Sequence, residues 1–510
     1  MTSTDIKDLL LAPRLERQQV AALLSPYGFK DPFKADANLQ AMADDPSERQ
    51  LLAEIVQDLL GCASHSADPD QALTYFERFA RAALNKTRLF SYLKDSPQAL
   101  EILAKTLGGS PYMSEILIRD PQHYYWVTDP QVLGRSRKKR EMQRELVRTL
   151  KVLEDEQTQL DYLRFFKRKE MLHIGVRDLL RLCSVEETLA ALSTLAEALI
   201  SAAYWICASA LRREHSIPRS AFTGFTILAM GKLGGGELNF SSDVDLLYLY
   251  ASDNEQTASL SAAEYFRRLS QKVTRGLNEF TSEGYVYRVD LRLRPEGKAG
   301  DIAYPLDGYE RYYKSRLSTW ERLALLKAWP VAGNRALGND FLAMARSFIY
   351  DQSLDGEALQ DVRNMKGKID RQMNTRQQRD RNVKLGKGGI REIELIAQSF
   401  QVRCGGPIPQ IRERNTLRAL AALRGQSLIS TEEFETLTRA YVFLRDVENK
   451  LQMVNDAQTH SLPRDQEELN TCARLLGYSG SETFLSDYRH HTGQVNRIFE
   501  GLPSILSRHE

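Results

Sequence analysis

Apolar residues recur at three- and four-residue spacing over residues 72–93, 140–160 and 185–213. That period predicts helices with one buried face. Pro and Gly cluster between them, at 95–97, 108–111 and 129–134, and punctuate the pattern. Residues 1–215 therefore read as helix after helix. After His215 the period changes. FTGFTILA at 222–229 is a short, partly β-branched apolar run, 246–250 is a second, and 285–293 alternates as a third. Each predicts a strand, and the helical stretch 262–279 lies between the second and third. From about residue 336 the helical period returns, at 358–373, 390–403, 431–451 and 481–499. The pattern predicts a mostly helical α+β chain. A small α/β domain over 216–335 is flanked by an N-terminal helical domain, 1–215, and a C-terminal helical bundle, 336–510.

Composition narrows the partners. The 510 residues are 42% hydrophobic and 27% charged, which suits sizeable cores and excludes a disordered chain. Sixty-nine basic residues nearly cancel 67 acidic ones, for a formal charge of +2. No global field favours nucleic acid or an acidic membrane, and neither is expected as a partner. The basic run RSRKKR at 135–140 lacks interleaved aromatics and reads as a solvated helix start. Five scattered cysteines, Cys62, Cys183, Cys207, Cys404 and Cys472, form no close pair, and predict reduced thiols rather than a disulfide framework. The opening MTSTDIKDLLLAPRLERQQ carries acids early and is not expected to be a signal peptide. Residues 189–211 are apolar but Ala-rich and broken by Ser193, Thr194, Glu197 and Ser201. They read as a core helix, not a membrane span. A soluble, cytoplasmic protein is expected.

The most informative segment is MGKLGGGELNFSSDVDLLYL at 230–249. A strand enters a loop holding Gly231, Gly234, Gly235 and Gly236, and a Ser-Ser pair precedes Asp243-Val-Asp245 at the next strand. Residues two apart on a strand share a face, so Asp243 and Asp245 should project into one cavity. Adjacent carboxylates repel unless a cation neutralises them. An oxygen-only donor set suits Mg²⁺ or Mn²⁺. Gly234 and Gly235 would let backbone amides approach a polyphosphate, with Ser242 and Lys232 beside them. Asp290, in the alternating run at 285–294, supplies a third acid, and Arg292 and Arg294 are expected on its strand face to balance phosphate charge. Asp243, Asp245 and Asp290 are thus the candidate catalytic and metal-binding residues for in-line displacement at phosphorus. The second Gly-rich stretch, 386–389, precedes a helix whose N-terminus could face phosphate. Lys384, Arg391, Lys232 and Lys327 are further candidates for contact with a nucleotide, and Glu392 and Glu394 suit a helix start. Adjacent His490 and His491 point to different parts of a helix surface and are not read as a metal pair.

These residues resemble the nucleotidyltransferase fold of the DNA polymerase β superfamily. Within it, the chain is similar to the glutamine-synthetase adenylyltransferase family. The likeness runs from about residue 75 to 500, through LRFFKRKEMLHIGVRDLL (163–180), YRVDLRLRPEGKAG (287–300), WERLALLKAWPVAG (320–333), NVKLGKGGIREIELIAQ (382–398) and FLRDVENKLQMVNDAQTHSLP (443–463). Members are about twice this length and carry two nucleotidyltransferase halves, of which this chain holds one. One half attaches AMP to a tyrosine of glutamine synthetase, and the other removes it by phosphorolysis, releasing ADP. ELNFSSDVD, YRVDLRLRP and GGIREIE resemble the removing half. The resemblance therefore implies Mg²⁺-dependent removal of AMP from glutamine synthetase, with phosphate and ADP as small-molecule partners. Forward adenylylation with ATP, or a non-catalytic module responding to the PII signal protein or glutamine, are the alternatives. His173 and Gly175 depart from the family pattern.

Overall fold

The computed structural model describes residues 5–13, 15–254, 256–257, 260–350, 380–455 and 459–506. The helix expected at 358–373 lies outside the described residues. The described chain is mostly helical, with one small mixed sheet.

In the N-terminal region the prolines start helices. Asp45 accepts the amides of Ser47 and Glu48 ahead of the helix Pro46–Ser64. Asp68 and Ser110 cap Pro69–Ala82 and Pro111–Arg119 in the same way. A side-chain acceptor at the cap and Pro at the first helical position, where no amide hydrogen is needed, cooperate. Two stretches with continuous helical period divide. Residues 72–93 form Pro69–Ala82 and Lys86–Asp95, because Asn85 caps the second by accepting from Arg88 N. Residues 140–160 span the end of Lys139–Leu150 and the start of Glu156–Leu179, where Asp155 accepts from Thr158 N. A short polar side chain that satisfies first-turn amides wins over an unbroken apolar period. Gly175 leaves room for Met113, whose Cε would lie 2.4 Å from a β-carbon there.

The helix Val185–Glu214 is long and apolar enough to cross a membrane by length and composition, yet 61% of its most apolar stretch is buried inside the protein. It packs on Glu156–Leu179 and on Ala262–Asn278.

The sheet comprises β1 (Phe225–Ala229), β2 (Val244–Tyr250), β3 (Val289–Asp290), β4 (Ala303–Pro305) and β5 (Trp329–Gly333), in the order β3-β2-β1-β5, with β4 also on β2. β1 runs antiparallel to β2 and β5, whereas β3 and β4 lie parallel to β2. The strand expected over 285–293 is only two residues long. Beyond Asp290 the chain turns, with Arg294 N bonded to Leu291 O and Gly297 N to Arg294 O. Pro295 within that turn has no amide hydrogen to offer a ladder. Arg292 and Arg294 therefore do not share a strand face with Asp290.

Alternation along β1 and β2 divides the interior. Ile227, Leu246, Tyr248 and Tyr250 join a core shared with the N-terminal helices. Leu228, Leu247 and Leu249 join a core shared with helices after residue 335. The sheet is the partition between two cores, as period-two side chains require.

Candidate active site

One cavity of about 330 Å³ gathers the candidate chemistry. Ser242, Asp243, Asp245 and Asp290 line it, with Gly231 and Lys232 from the Gly-rich turn. Parallel pairing sets Asp245 directly beside Asp290 and Val244 beside Val289. Asp243 precedes β2, and its Oδ1 accepts from Arg288 Nε at 2.5 Å. Asp290 accepts from Arg292 Nε at 2.8 Å and from the Arg292 amide at 2.8 Å. Burial, then the neighbouring Asp290, pushes Asp245 up to about 6. Asp290 is held below its usual value by Arg292, against the opposing effect of burial.

The other predicted positions separate. The Gly-rich segment is a one-turn helix, Gly231–Gly235, with Gly231 at φ +54° against the Asp245 carboxylate. Gly234 and Gly235 do not line the cavity. A β-carbon on Gly234 would fall 1.9 Å from the Lys327 carbonyl oxygen, and one on Gly235 3.2 Å from that of Arg414. Both glycines let this turn pack against later backbone. Arg294 donates to the carbonyls of Leu291, Lys298 and Gly300 and stays out of the cavity. Arg292 lines it.

The opposite wall comes from beyond the sheet. Lys384, Arg391, Glu394 and Gln398 line it, the last three at helical spacing on Ile390–Cys404. The first amides of that helix do not face a ligand: Ile390 N donates to Val383 O and Arg391 N to Lys384 O, each at 3.0 Å. The hairpin so formed carries Lys384 to the cavity. Arg391 contacts Glu394 at 3.3 Å, whereas Lys384 has no carboxylate within ion-pair distance among the described residues. Lys327 Nζ is bound by Glu237 Oε2 at 2.8 Å, Glu394 Oε1 at 3.0 Å and Thr416 Oγ1 at 3.2 Å. Its role is to tie three segments together. A third wall is apolar: Leu293, Trp320, Leu323 and Ala324.

Sequence reasoning missed what holds the loop. The helix Thr431–Asn455 is buried on its polar face as well as its apolar one. Glu448 Oε1 accepts from Lys232 Nζ at 2.6 Å, Asn449 Oδ1 from Asn239 at 2.6 Å, and Gln452 Oε1 from Ser241 N at 2.8 Å. Against the penalty of burial, Lys232, Arg445 and His460 hold Glu448 well below the usual carboxylate range. The signal was present: Arg445, Glu448, Asn449 and Gln452 recur at helical spacing between leucines and valines.

All-carboxylate donors fit a hard divalent cation, and the raised Asp245 is a carboxylate that a cation would relieve. Among the described residues, however, no three acidic, His or Cys side chains converge on a single metal position, since arginines hold Asp243 and Asp290.

Residues 100–344 match the family model for glutamate-ammonia ligase adenylyltransferase, and residues 363–502 match one for GlnD PII-uridylyltransferase. A bifunctional glutamine synthetase adenylyltransferase/adenylyl-removing enzyme of Thioalkalivibrio sulfidiphilus is 38% identical over 406 residues, 78% of this chain and 42% of that protein. Its counterpart in Nitrosococcus oceani is 37% identical over 413 residues, 79% of this chain and 42% of that protein. The chain thus spans less than half the length of these relatives. Residues 100–344 of this chain thus carry a glutamate-ammonia ligase adenylyltransferase domain, and over most of its length the chain is similar to the bifunctional enzymes of that family.

Proposed function

We propose that this cavity removes AMP from a tyrosine of glutamine synthetase by phosphorolysis. An oxygen of inorganic phosphate attacks the adenylyl phosphorus, the bond from phosphorus to the tyrosine oxygen breaks, and ADP and the tyrosine hydroxyl result. The observation that carries the reading is the placement of Asp243, Asp245 and Asp290 in one cavity facing Lys384 and Arg391. Once Asp243 and Asp290 are released from Arg288 and Arg292, they and Asp245 would hold Mg²⁺ or Mn²⁺, which would supply charge stabilisation at the phosphorus-bound oxygens. Lys384 and Arg391 attract and orient phosphate oxygens from the opposite side, Arg391 with its planar fork and Lys384 as a point charge. The Ser242 hydroxyl, next to the acids, offers a donor to the same oxygens. Glu448 fixes Lys232, and with it the turn that carries Gly231 against Asp245. Low dielectric in the half-closed cavity strengthens each of these interactions.

The direction rests on the likeness of ELNFSSDVD, YRVDLRLRP and GGIREIE to the removing half, since the same acids serve transfer either way. The match of residues 363–502 to a PII-uridylyltransferase model favours a PII-type signalling protein as the regulatory partner. The test is incubation with AMP-modified glutamine synthetase, Mg²⁺ and phosphate. Phosphate-dependent ADP release is expected. Label transferred from ATP to unmodified glutamine synthetase, without ADP release, would assign the forward direction instead. Asp245→Asn is expected to lower turnover by at least about a thousand-fold while circular dichroism stays native; near-normal turnover would remove Asp245 from the chemistry.

A further inference from the structure

We propose that Trp320 is the platform on which the adenine ring stacks; the inference rests on the nucleotide-transfer reading above. The helix Thr319–Leu325 turns Trp320, Leu323 and Ala324 to the cavity at positions i, i+3 and i+4. Leu293 extends that apolar wall from the turn after β3. Leu323 is buried, but Trp320 remains 43% exposed, and among the described residues no aromatic ring or cation stacks on its indole. An indole left open at the edge of this cavity, beside its charged walls, lacks a flat partner.

The chemistry of the walls separates the parts of a nucleotide. Phosphate oxygens belong with Lys384, Arg391 and the acids, where charge is matched. A purine presents apolar faces and polar edges, and an apolar wall headed by tryptophan matches the faces. A cavity of about 330 Å³ has the size of a small-molecule site and admits a nucleotide base. Trp320 also lies outside the turn and helices that position the acids, so its contribution should be to affinity for base-bearing ligands.

Titration calorimetry of the full chain with ADP, and separately with tripolyphosphate, tests this without the protein substrate. Trp320→Ala should weaken ADP about ten-fold or more and leave tripolyphosphate unchanged. Trp320→Phe should stay within about three-fold of the parent, because the phenyl ring keeps a stacking face. ADP should also quench tryptophan emission in the parent, and that quenching should vanish in Trp320→Phe. Unchanged ADP affinity in Trp320→Ala, or equal weakening of ADP and tripolyphosphate, would overturn the platform. Failure of the parent to bind either ligand would instead overturn the nucleotide reading on which it rests.

Discussion

Gly231 is where a single hydrogen atom decides the geometry of the acids. Its φ of +54° is left-handed, and a β-carbon there would approach Asp245 Oδ2 to 2.4 Å. Gly231→Ala should therefore cut turnover at least about ten-fold through displacement of Asp245, while costing only about 1 kcal/mol of stability. Parallel activity and urea-unfolding measurements check the split; a large loss of stability with proportionate activity would assign the glycine to folding alone. His173 makes a different residue-scale prediction. Its Nε2 lies 2.9 Å from Val132 O, and burial, reinforced by Arg177 and Arg137, pushes the imidazole down to about 4 from 6.5. The folded state favours the neutral ring. That contribution is complete above pH 6.5 and erodes as pH falls towards 4. At pH 5 the loss should reach about 2 kcal/mol. His173→Gln, which keeps a donor for Val132 but does not titrate, should show a correspondingly smaller drop in unfolding free energy between pH 7.5 and pH 5. Equal drops would show that His173 is not the group responsible.

At the scale of elements, the helix Thr431–Asn455 organises the site without lining the cavity. Its Glu448 neutralises buried Lys232, and Arg445 Nη1 lies 3.3 Å from the same carboxylate. Removing one partner of a buried pair leaves an uncompensated charge, which costs far more than the pair contributed. Glu448→Gln, nearly identical in shape, is expected to destabilise the protein by about 3 kcal/mol. It should also raise the phosphate requirement, because Lys232 and the Gly231 turn lose their anchor. Urea titration and the phosphate dependence of ADP release measure the two effects; a stable, fully active variant would show that the loop is self-supporting. The same helix explains why an apolar period misleads here. Leu444, Val447 and Leu451 form a buried stripe, yet Arg445, Glu448, Asn449 and Lys450 are just as buried. The polar face is inside because residues 232–241 and Asp178 bond to Glu448, Asn449, Gln452 and Lys450 on it.

For the whole molecule, that helix is also the joint between the regions on either side of the sheet. Lys450 pairs with Asp178, Asp446 Oδ2 accepts from Arg181 at 2.9 Å, and Ser110 Oγ donates to Met453 O at 2.7 Å. The N-terminal helices and the Gly231 turn thus dock on one element. Two cores meet across one sheet, so neither can lose its packing without exposing the other. The full chain should melt in a single transition, and a fragment ending at residue 335 should lose both cooperative unfolding and ADP binding. The fragment lacks Lys384, Arg391 and the partners of Lys232 and Asp178. Calorimetry and nucleotide titration check this; two resolved transitions, or an ADP-binding fragment, would show that the regions are independent.

Local chemistry was legible because it is written in neighbouring residues. The period of apolar positions marked Val185–Glu214, Ala262–Asn278 and Ile390–Cys404 almost to their ends. Asp243 and Asp245 flank the start of β2 within one short stretch, and Asp290 stood out among the Tyr, Val and Leu around it. Register and distance were not legible. That β3 is two residues long, that Arg292 turns back onto Asp290, and that Arg294 leaves the site all follow from a turn whose backbone bonds form only in the folded chain. Gly234 and Gly235 looked like a phosphate cradle in one dimension. In three they make room for the backbone of residues 327 and 414, about 90 and 180 positions away. Trp320, Lys384 and Glu448 are far apart in sequence, and only tertiary packing brings the first two to one cavity and the third to the loop beside it. A sequence records which side chains are available; contacts between distant segments depend on how two cores close over a shared sheet, and that is decided by tertiary packing.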